Sequence, residues 1–220
     1  MLVTPETIKP INRPAFIAFE GINGCGKTTL HRAISERLRA EGRTVIDTRE
    51  PGGTPLGKEI RKLLLEWDGE QKSDLAELLL FAADRAEHVN KVIAPSLASG
   101  SWVLCDRYIY STLAFQGHGR RIKRQWLEQA NQLATQGLIP DLVILLDLEP
   151  RVALSRIATR ADNGRDNFEG EELSFHTRIR DGFIELANTS SAPFLKLDAT
   201  LAPAQLAQLA AAGIARLAVA

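Results

Sequence analysis

An eight-residue stretch near the start of the chain has the composition of a phosphate-binding loop. It runs from Gly21 to Thr28, reads GINGCGKT and fits the P-loop pattern G-x-x-x-x-G-K-[S/T]. Glycines reach backbone angles that side chains forbid, so successive N–H groups can converge on a phosphate, and a helix beginning near Lys27 adds its positive dipole end. Lys27 can neutralise the outer phosphates, and Thr28 can offer a hydroxyl to Mg²⁺. We expect a nucleotide polyphosphate, with ATP as the nucleotide, to be held by Gly21, Ile22, Asn23, Gly24, Cys25, Gly26, Lys27, Thr28 and Thr29.

A second group of candidate residues follows the next apolar run. In TREPGGTPLG, Arg49 stands at the end of a predicted strand, and Pro51 begins a tight turn. In LLLFAADRAEHV, Phe81 and Arg85 are four residues apart and share a helix face. A ring beside a guanidinium could stack on a base and hydrogen-bond its edge or a phosphate. Taken singly, the phenylalanine is more simply explained as a core residue and the arginine as a solvated charge.

A third segment, VLCDRYIYSTLAFQG, places charged residues directly after a buried type of strand. Asp106 can hold the water shell of a metal, and Arg107 can hold an anion. Ser111, Thr112 and Gln116 offer polar groups near the same end of the sheet. An ordinary ion pair between the aspartate and the arginine explains this piece alone equally well.

These segments alternate with helical patterns along the whole chain. Five apolar runs are predicted strands, at residues 16–19, 44–47, 102–105, 142–148 and 194–198. Helical patterns are predicted at residues 28–40, 56–66, 74–99, 123–136, 151–160, 171–188 and 203–218. The alternation predicts an α/β fold with a parallel sheet and helices on both faces. In such a sheet, ligands bind beyond the carboxyl ends of the strands.

Length and composition suit one compact domain. The chain has 220 residues, of which 45% are hydrophobic. We expect residues 1–14 to be a frayed or loosely docked leader and residues 15–220 to form a single domain. Basic and acidic residues both total 27, so no overall charge points to nucleic acid. Two cysteines and no membrane-length apolar run indicate a reduced, cytoplasmic protein without a membrane partner.

Four segments of the chain resemble, in the same order, the motifs of thymidylate kinase: GINGCGKT, TREPGGT, FAADRAEH and DRYIYSTLAFQG. The resemblance covers residues 16 to about 188. It implies a five-stranded parallel sheet of the P-loop NTPase type with a mobile lid. It implies the reaction ATP + dTMP → ADP + dTDP with Mg²⁺, in dTTP synthesis and usually in a homodimer. It also implies that Phe81 stacks on thymine, Arg85 binds the base side, Arg49 and Arg107 hold the dTMP phosphate, and Gln116 lies near the nucleoside. The expected substrate-binding residues are Arg49, Pro51, Phe81, Arg85, Arg107, Ser111 and Gln116.

The polar segment ADNGRDNFEGEE falls in the lid, which we expect at about residues 160–171. Without context, such a loop is simply solvent-exposed. Members of the family place a catalytic arginine in either the glycine loop or the lid, and this glycine loop has none. The chain therefore resembles the bacterial type with a basic lid, with Arg165 first and Arg160 second as the transition-state clamp. The expected catalytic residues are Lys27, Arg107, Arg165 and Arg160, and the expected metal-binding residues are Thr28, Asp106 and Glu169.

Asn23 departs from the resemblance. The family usually has an acid there, which contacts the sugar 3′-hydroxyl or the metal shell, and asparagine keeps the shape without the charge. One alternative is therefore a kinase for a modified or different deoxynucleoside monophosphate. Another is a P-loop switch ATPase that binds a protein or DNA, which explains the glycine loop but none of the later motifs.

Overall fold

The structure is a computed structural model that describes residues 2–159 and 168–217. Its five strands form one parallel sheet in the order β2-β3-β1-β4-β5. The strands are β1 (Phe16–Glu20), β2 (Val45–Arg49), β3 (Trp102–Asp106), β4 (Leu142–Asp147) and β5 (Phe194–Asp198). The predicted α/β class, parallel pairing and strand number are confirmed. The strand order puts β1, which leads into the glycine loop, in the centre of the sheet.

Helices connect the strands. They are α1 (Lys27–Ala40), α2 (Pro55–Leu65), α3 (Asp74–His88), α4 (Ala94–Ala98), α5 (Ile109–Thr112), α6 (Arg124–Thr135), α7 (Pro150–Ala158), α8 (Leu173–Thr189) and α9 (Pro203–Leu217). The single helix predicted at residues 74–99 is instead α3 and α4, joined by the π-helical turn Val89–Ile93. A second π-helical turn, Leu113–Gly119, follows α5. None of the helices in the described ranges is long and apolar enough to cross a membrane.

Local sequence signals fix where the helices beside the site begin. Thr54 caps α2 by accepting a hydrogen bond from the Gly57 N–H at 2.9 Å, and Pro55 occupies the first turn. Ser73 caps α3 in the same way, by accepting from Ala76. These caps set the start of α2 and α3 and so the direction in which their side chains face the sheet edge.

Strand β4, which lies between β1 and β5, shows why its apolar run is nearly continuous. Its residues Leu142 to Leu146 are each at most 1% exposed, because helices cover both faces of the sheet. Only Asp147, its last residue, is partly accessible. The core therefore holds the sheet rigid while the strand ends carry polar side chains.

The N-terminal segment differs from the expected frayed or loosely docked leader. The N–H of Val3 donates to the carbonyl of Phe194 at 2.9 Å, and the N–H of Ile11 donates to Leu217 at 2.9 Å. The Ile8 side chain is 5% exposed and belongs to the main core. Burial of that side chain and the two backbone hydrogen bonds dock the segment on β5 and α9, a long-range packing that periodicity could not predict.

Candidate active site

The carboxyl ends of β1, β2 and β3 open onto one cavity of about 480 Å³. This is the edge at which parallel sheets bind ligands. The structure brings most of the predicted site residues to its wall, namely Asn23, Gly24, Gly26, Lys27, Thr28, Thr29, Arg49, Pro51, Phe81, Arg85, Asp106, Arg107, Ser111, Gln116 and Glu169.

The predicted glycine loop lies against the sheet with no room for side chains at two of its glycines. Gly21 and Gly24 have φ of 138° and 79°, a region that favours glycine. A Cβ on Gly21 would lie 2.5 Å from the Leu146 carbonyl oxygen, and one on Gly24 would lie 2.5 Å from that of Ala153. The side chains of Ile22 and Cys25 are buried in the core, at 2% and 1% exposure. These two residues can therefore offer a nucleotide only their backbone.

Lys27 is a buried cation that faces neutral oxygens. Its ammonium donates to the carbonyls of Gly21 and Ile22 at 3.1 Å each. Burial, followed by the charge of Arg107, lowers its pKa. No carboxylate in residues 2–159 and 168–217 forms an ion pair with it, so its charge remains for an anionic ligand.

Arg107 joins the glycine loop to the turn after β3. Its guanidinium donates to the carbonyl of Gly21 and the hydroxyl of Ser111, at 3.0 Å each, and to the amide oxygen of Asn23. Its own φ is 73°, a strained value for a residue with a side chain. The substituted loop residue Asn23 therefore helps to orient the arginine that was expected to hold the acceptor phosphate.

A buried carboxylate that sequence reasoning missed holds this turn. Glu20 accepts from the N–H groups of Tyr108 and Ser111, at 2.9 and 3.2 Å, and from the Ser111 hydroxyl at 2.6 Å. Burial raises its pKa to about 7, against the opposing charge of Arg107. The available signal was a lone acid ending the apolar strand FIAFE.

Three oxygen-bearing residues, Thr28, Asp106 and Glu169, line the cavity where a metal was expected. The hydroxyl of Thr28 lies 3.5 Å from Asp106 Oδ2, and Glu169 lines the same cavity. Asp106 Oδ1 is buried and has no hydrogen-bond partner within the described part of the chain. The described residues contain no cluster of three or more His, Cys, Asp or Glu side chains that could ligate a metal. The hydroxyl of Thr28 and the carboxylates of Asp106 and Glu169 nevertheless fit Mg²⁺, which is usually held by one or two carboxylates with water and phosphate oxygens.

Two arginines line the cavity near its β2 side. Arg49 is the exposed last residue of β2, as predicted. Arg61, on α2, donates to the carbonyl of Pro51 at 3.0 Å and was not predicted. Arg61 is one of three basic residues in PLGKEIRKLLL, so the sequence alone does not distinguish it.

Arg85 is held almost entirely by the protein. It is 1% exposed and pairs with Glu50 Oε2 at 2.8 Å. It also donates to the Thr112 hydroxyl at 3.0 Å, to Asn131 Oδ1 at 2.7 Å and to the Tyr108 carbonyl at 3.2 Å. Four of its five N–H groups are therefore engaged before any ligand binds. Its expected hydrogen bond to the base stays a prediction, and only the one remaining N–H could make that bond.

Aromatic rings form the other end of the cavity. The ring centroid of Phe168 lies 6.1 Å from that of Phe81 and 5.6 Å from that of Phe115. All three line the cavity, together with the buried amide of Gln116. Phe81 was predicted to stack on a base. The other two rings were missed because each lies in a segment interpreted through its charged or polar neighbours.

The predicted clamp residues Arg160 and Arg165 lie outside the described residues. The neighbouring Arg156, on α7, lines the cavity and donates to the Ala199 carbonyl at 3.1 Å. Arg156 therefore adds one basic side chain from α7 to the wall of the cavity.

Comparison with known proteins decides the family. The profile described as thymidylate kinase matches residues 19–209. The chain belongs to the thymidylate kinase family. It is 50% identical to "Thymidylate kinase" of Synechococcus sp. strain JA-2-3B'a(2-13), over 87% of this chain and 90% of that protein. It is 44% identical to "Thymidylate kinase" of Trichlorobacter lovleyi, over 93% and 99%, and 46% identical to that of Geobacter sulfurreducens, over 83% and 88%. The family predicted from the four motifs is confirmed.

The raised pKa of Glu20 predicts a pH-dependent stability. In the folded state Glu20 titrates near pH 7, against 4.5 for an ordinary glutamate, so the folded state holds the proton more tightly. Stability from this group is complete below pH 4.5 and is lost as pH rises to about 7. Between pH 5 and 8, the free energy of unfolding of Glu20→Gln should therefore rise by about 2–3 kcal/mol relative to wild type.

Urea unfolding of both proteins at pH 5, 6, 7 and 8 measures this difference. Subtracting the two curves removes the contribution of groups that titrate in both proteins. A difference that stays constant across the four pH values would contradict the raised pKa.

Proposed function

We propose that this thymidylate kinase family member transfers the γ-phosphoryl group of ATP, bound with Mg²⁺, to the phosphate of dTMP. The product, dTDP, is the precursor of dTTP. One observation carries the proposal. A single cavity joins the glycine loop and the cations Lys27 and Arg107 to an aromatic end at Phe81. Such a cavity suits two phosphates in contact with a planar base held beyond the second.

The donor side of this cavity is the glycine loop. Its backbone N–H groups and Lys27 would hold the β- and γ-phosphates of ATP. Thr28, Asp106 and Glu169 would hold Mg²⁺ and its water, and the metal would neutralise charge on the phosphate oxygens. The buried, unpartnered Asp106 Oδ1 supports this assignment.

The acceptor side lies across the cavity. Arg49 and Arg107 would hold the dTMP phosphate, with Ser111 and Pro51 beside them. Phe81 would stack on the base, and Arg85 and Gln116 would contact its edge. The acceptor phosphate is already ionised near neutral pH, since its second pKa is about 6, so no general base is required. Catalysis then consists of positioning and charge neutralisation.

The transition-state clamp is proposed as Arg165, with Arg160 as the second choice. The glycine loop carries no arginine, and Arg156, four residues before Arg160 in the chain, adds a basic side chain to the cavity wall. We place the lid at about residues 160–171 of a single domain. We also propose a cytoplasmic location, which the two buried cysteines without a disulfide support.

A modified substrate remains the second candidate because of Asn23. Its amide oxygen accepts a hydrogen bond from Arg107, so the residue acts on the acceptor site through a neutral group. An amide can both donate and accept, whereas an acid at this position only accepts. A substrate that differs from dTMP at the sugar 3′ position would exploit that difference.

ADP release with each nucleoside monophosphate tests the function. We expect dTMP to give the highest kcat/KM, above dUMP by about 10- to 200-fold, because a pocket for one methyl group contributes about 1–3 kcal/mol. Arg107→Met should lower kcat/KM for dTMP by about 100-fold or more. Arg37→Met, on the exposed face of α1 and outside the cavity, is the matched control.

The alternatives predict different results in the same assay. Slow ATP hydrolysis that no monophosphate accelerates would indicate a switch ATPase and overturn the kinase. A 3′-modified nucleotide with a higher kcat/KM than dTMP would replace dTMP as the substrate.

We further propose that the protein is a homodimer. Helix α3 packs between α2 and α6, and all three helices expose large apolar side chains. Leu56 and Leu63 lie on one face of α2, and Leu75 and Leu79 lie on one face of α3. Leu133 on α6 is 81% exposed. An exposed apolar surface of this kind is typical of a protein interface.

Leu79→Glu should therefore give a monomer. A glutamate carboxylate in the centre of an apolar interface would lose its hydration and gain no partner of opposite charge. Sedimentation should give about twice 24.2 kDa for wild type and 24.2 kDa for the variant. Leu209→Glu, at an exposed position on α9, is the control and should remain dimeric. A monomeric wild type, or a dimeric Leu79→Glu, would contradict the proposed interface.

A further inference from the structure

The aromatic end of the cavity contains one side-chain amide whose orientation is fixed by the protein. Gln116 is 1% exposed and lines the cavity with Phe81, Phe115 and Phe168. Its Nε2 donates to Glu77 Oε1 at 2.8 Å. Glu77, on α3, is itself buried at 6% exposure. The amide that faces a bound base is therefore held from behind by a carboxylate.

The chemistry of that contact decides which atom the amide offers. An ionised carboxylate only accepts hydrogen bonds, so the Nε2 end of Gln116 must face Glu77. The amide oxygen Oε1 then remains as the acceptor for a ligand. Reversing the amide would place two acceptors against each other in a buried site, which is costly.

Arg120 is a second hydrogen-bond donor to Glu77. Its guanidinium lies 3.5 Å from each oxygen of Glu77, and it also pairs with Glu171 at 2.5 Å. It lies over the rings of Phe168 and Phe175, at 5.5 and 4.8 Å from their centroids. An arginine carries hydrogen-bond donors and no acceptor, so Arg120 supports Glu77 as the acceptor of this cluster.

We propose that Glu77, with Arg120 behind it, is a positioning residue that selects the pyrimidine by fixing the Gln116 amide. The inference rests on the proposed function, because the aromatic end must hold the base. Thymine and uracil present an N–H donor at ring position 3, which Oε1 can accept. Cytosine presents an unprotonated nitrogen there, so two acceptors would meet. A site built for one hydrogen-bond pattern strongly rejects the other.

Glu77→Gln is the variant that tests this. The new amide has one accepting and one donating end, and Arg120 lies 3.5 Å from both positions, so neither orientation of residue 77 is favoured. The Gln116 amide is then no longer fixed and can present Nε2 to the base, so cytosine is no longer rejected. The measured quantity is the ratio of Ki for dCMP, as a competitor of dTMP phosphorylation, to KM for dTMP. We expect that ratio to fall at least tenfold.

Glu171→Gln is the matched control. It removes the negative charge of the other close partner of Arg120 without touching Gln116, so the ratio should stay within twofold of wild type. A purely structural role for the cluster would change both variants alike in thermal stability and neither in selectivity. The ratio does not depend on the fraction of folded enzyme, so partial unfolding of Glu77→Gln leaves the test intact.

The outcomes separate two failures. If wild type phosphorylates dTMP and the ratio in Glu77→Gln is unchanged, this inference is overturned and the proposed function stands. An equal fall in Glu171→Gln also overturns it. Wild type that does not phosphorylate dTMP overturns the proposed function and this inference with it.

Discussion

Repulsion between two phosphate groups is the constraint on which the arrangement of this site depends. A donor and an acceptor, both polyanions, can meet only where fixed positive charge replaces the water that normally screens them. The structure supplies that charge through Lys27 and Arg107, whose described hydrogen bonds go to carbonyl, hydroxyl and amide oxygens and to the Cys25 sulfur, with no carboxylate among them. By contrast, Arg85 is neutralised by Glu50 and belongs to the framework of the site. An arginine therefore has one of two roles in this site. Without a carboxylate partner, as in Arg107, its charge is available to a phosphate, and with one, as in Arg85, it stabilises the framework.

Holding cations in the cavity without carboxylate partners costs free energy, and backbone carbonyls offset part of that cost. The Gly21 carbonyl accepts from both Lys27 and Arg107, so one peptide group fixes the two charges relative to each other. Glu20, one residue earlier, holds the turn that carries Arg107 through Ser111 and Tyr108. The central strand β1 thus positions both Lys27 and Arg107, and the close-packed sheet behind it resists compression.

The sequence predicted what depends on local spacing. The glycine loop, the parallel sheet, Arg49 at the end of β2 and Phe81 on α3 all follow from patterns a few residues long. Long-range contacts could not be predicted. Asn131 reaches Arg85 across 46 residues of chain, and the docking of the N-terminal segment depends on packing against β5 and α9. A single sequence shows which charges exist, but only the fold shows which are already neutralised.

The binding of dTMP compared with thymidine, measured by calorimetry, tests the central claim most directly. The two ligands differ only in the phosphate, so their affinity ratio isolates the effect of the cations. Two charged contacts of about 1.5–3 kcal/mol each predict that wild type binds dTMP about 100-fold or more tightly. An Arg49→Met, Arg107→Met double variant should lose most of that ratio and still bind thymidine. Equal affinities in wild type, or an unchanged ratio in the double variant, would contradict the account.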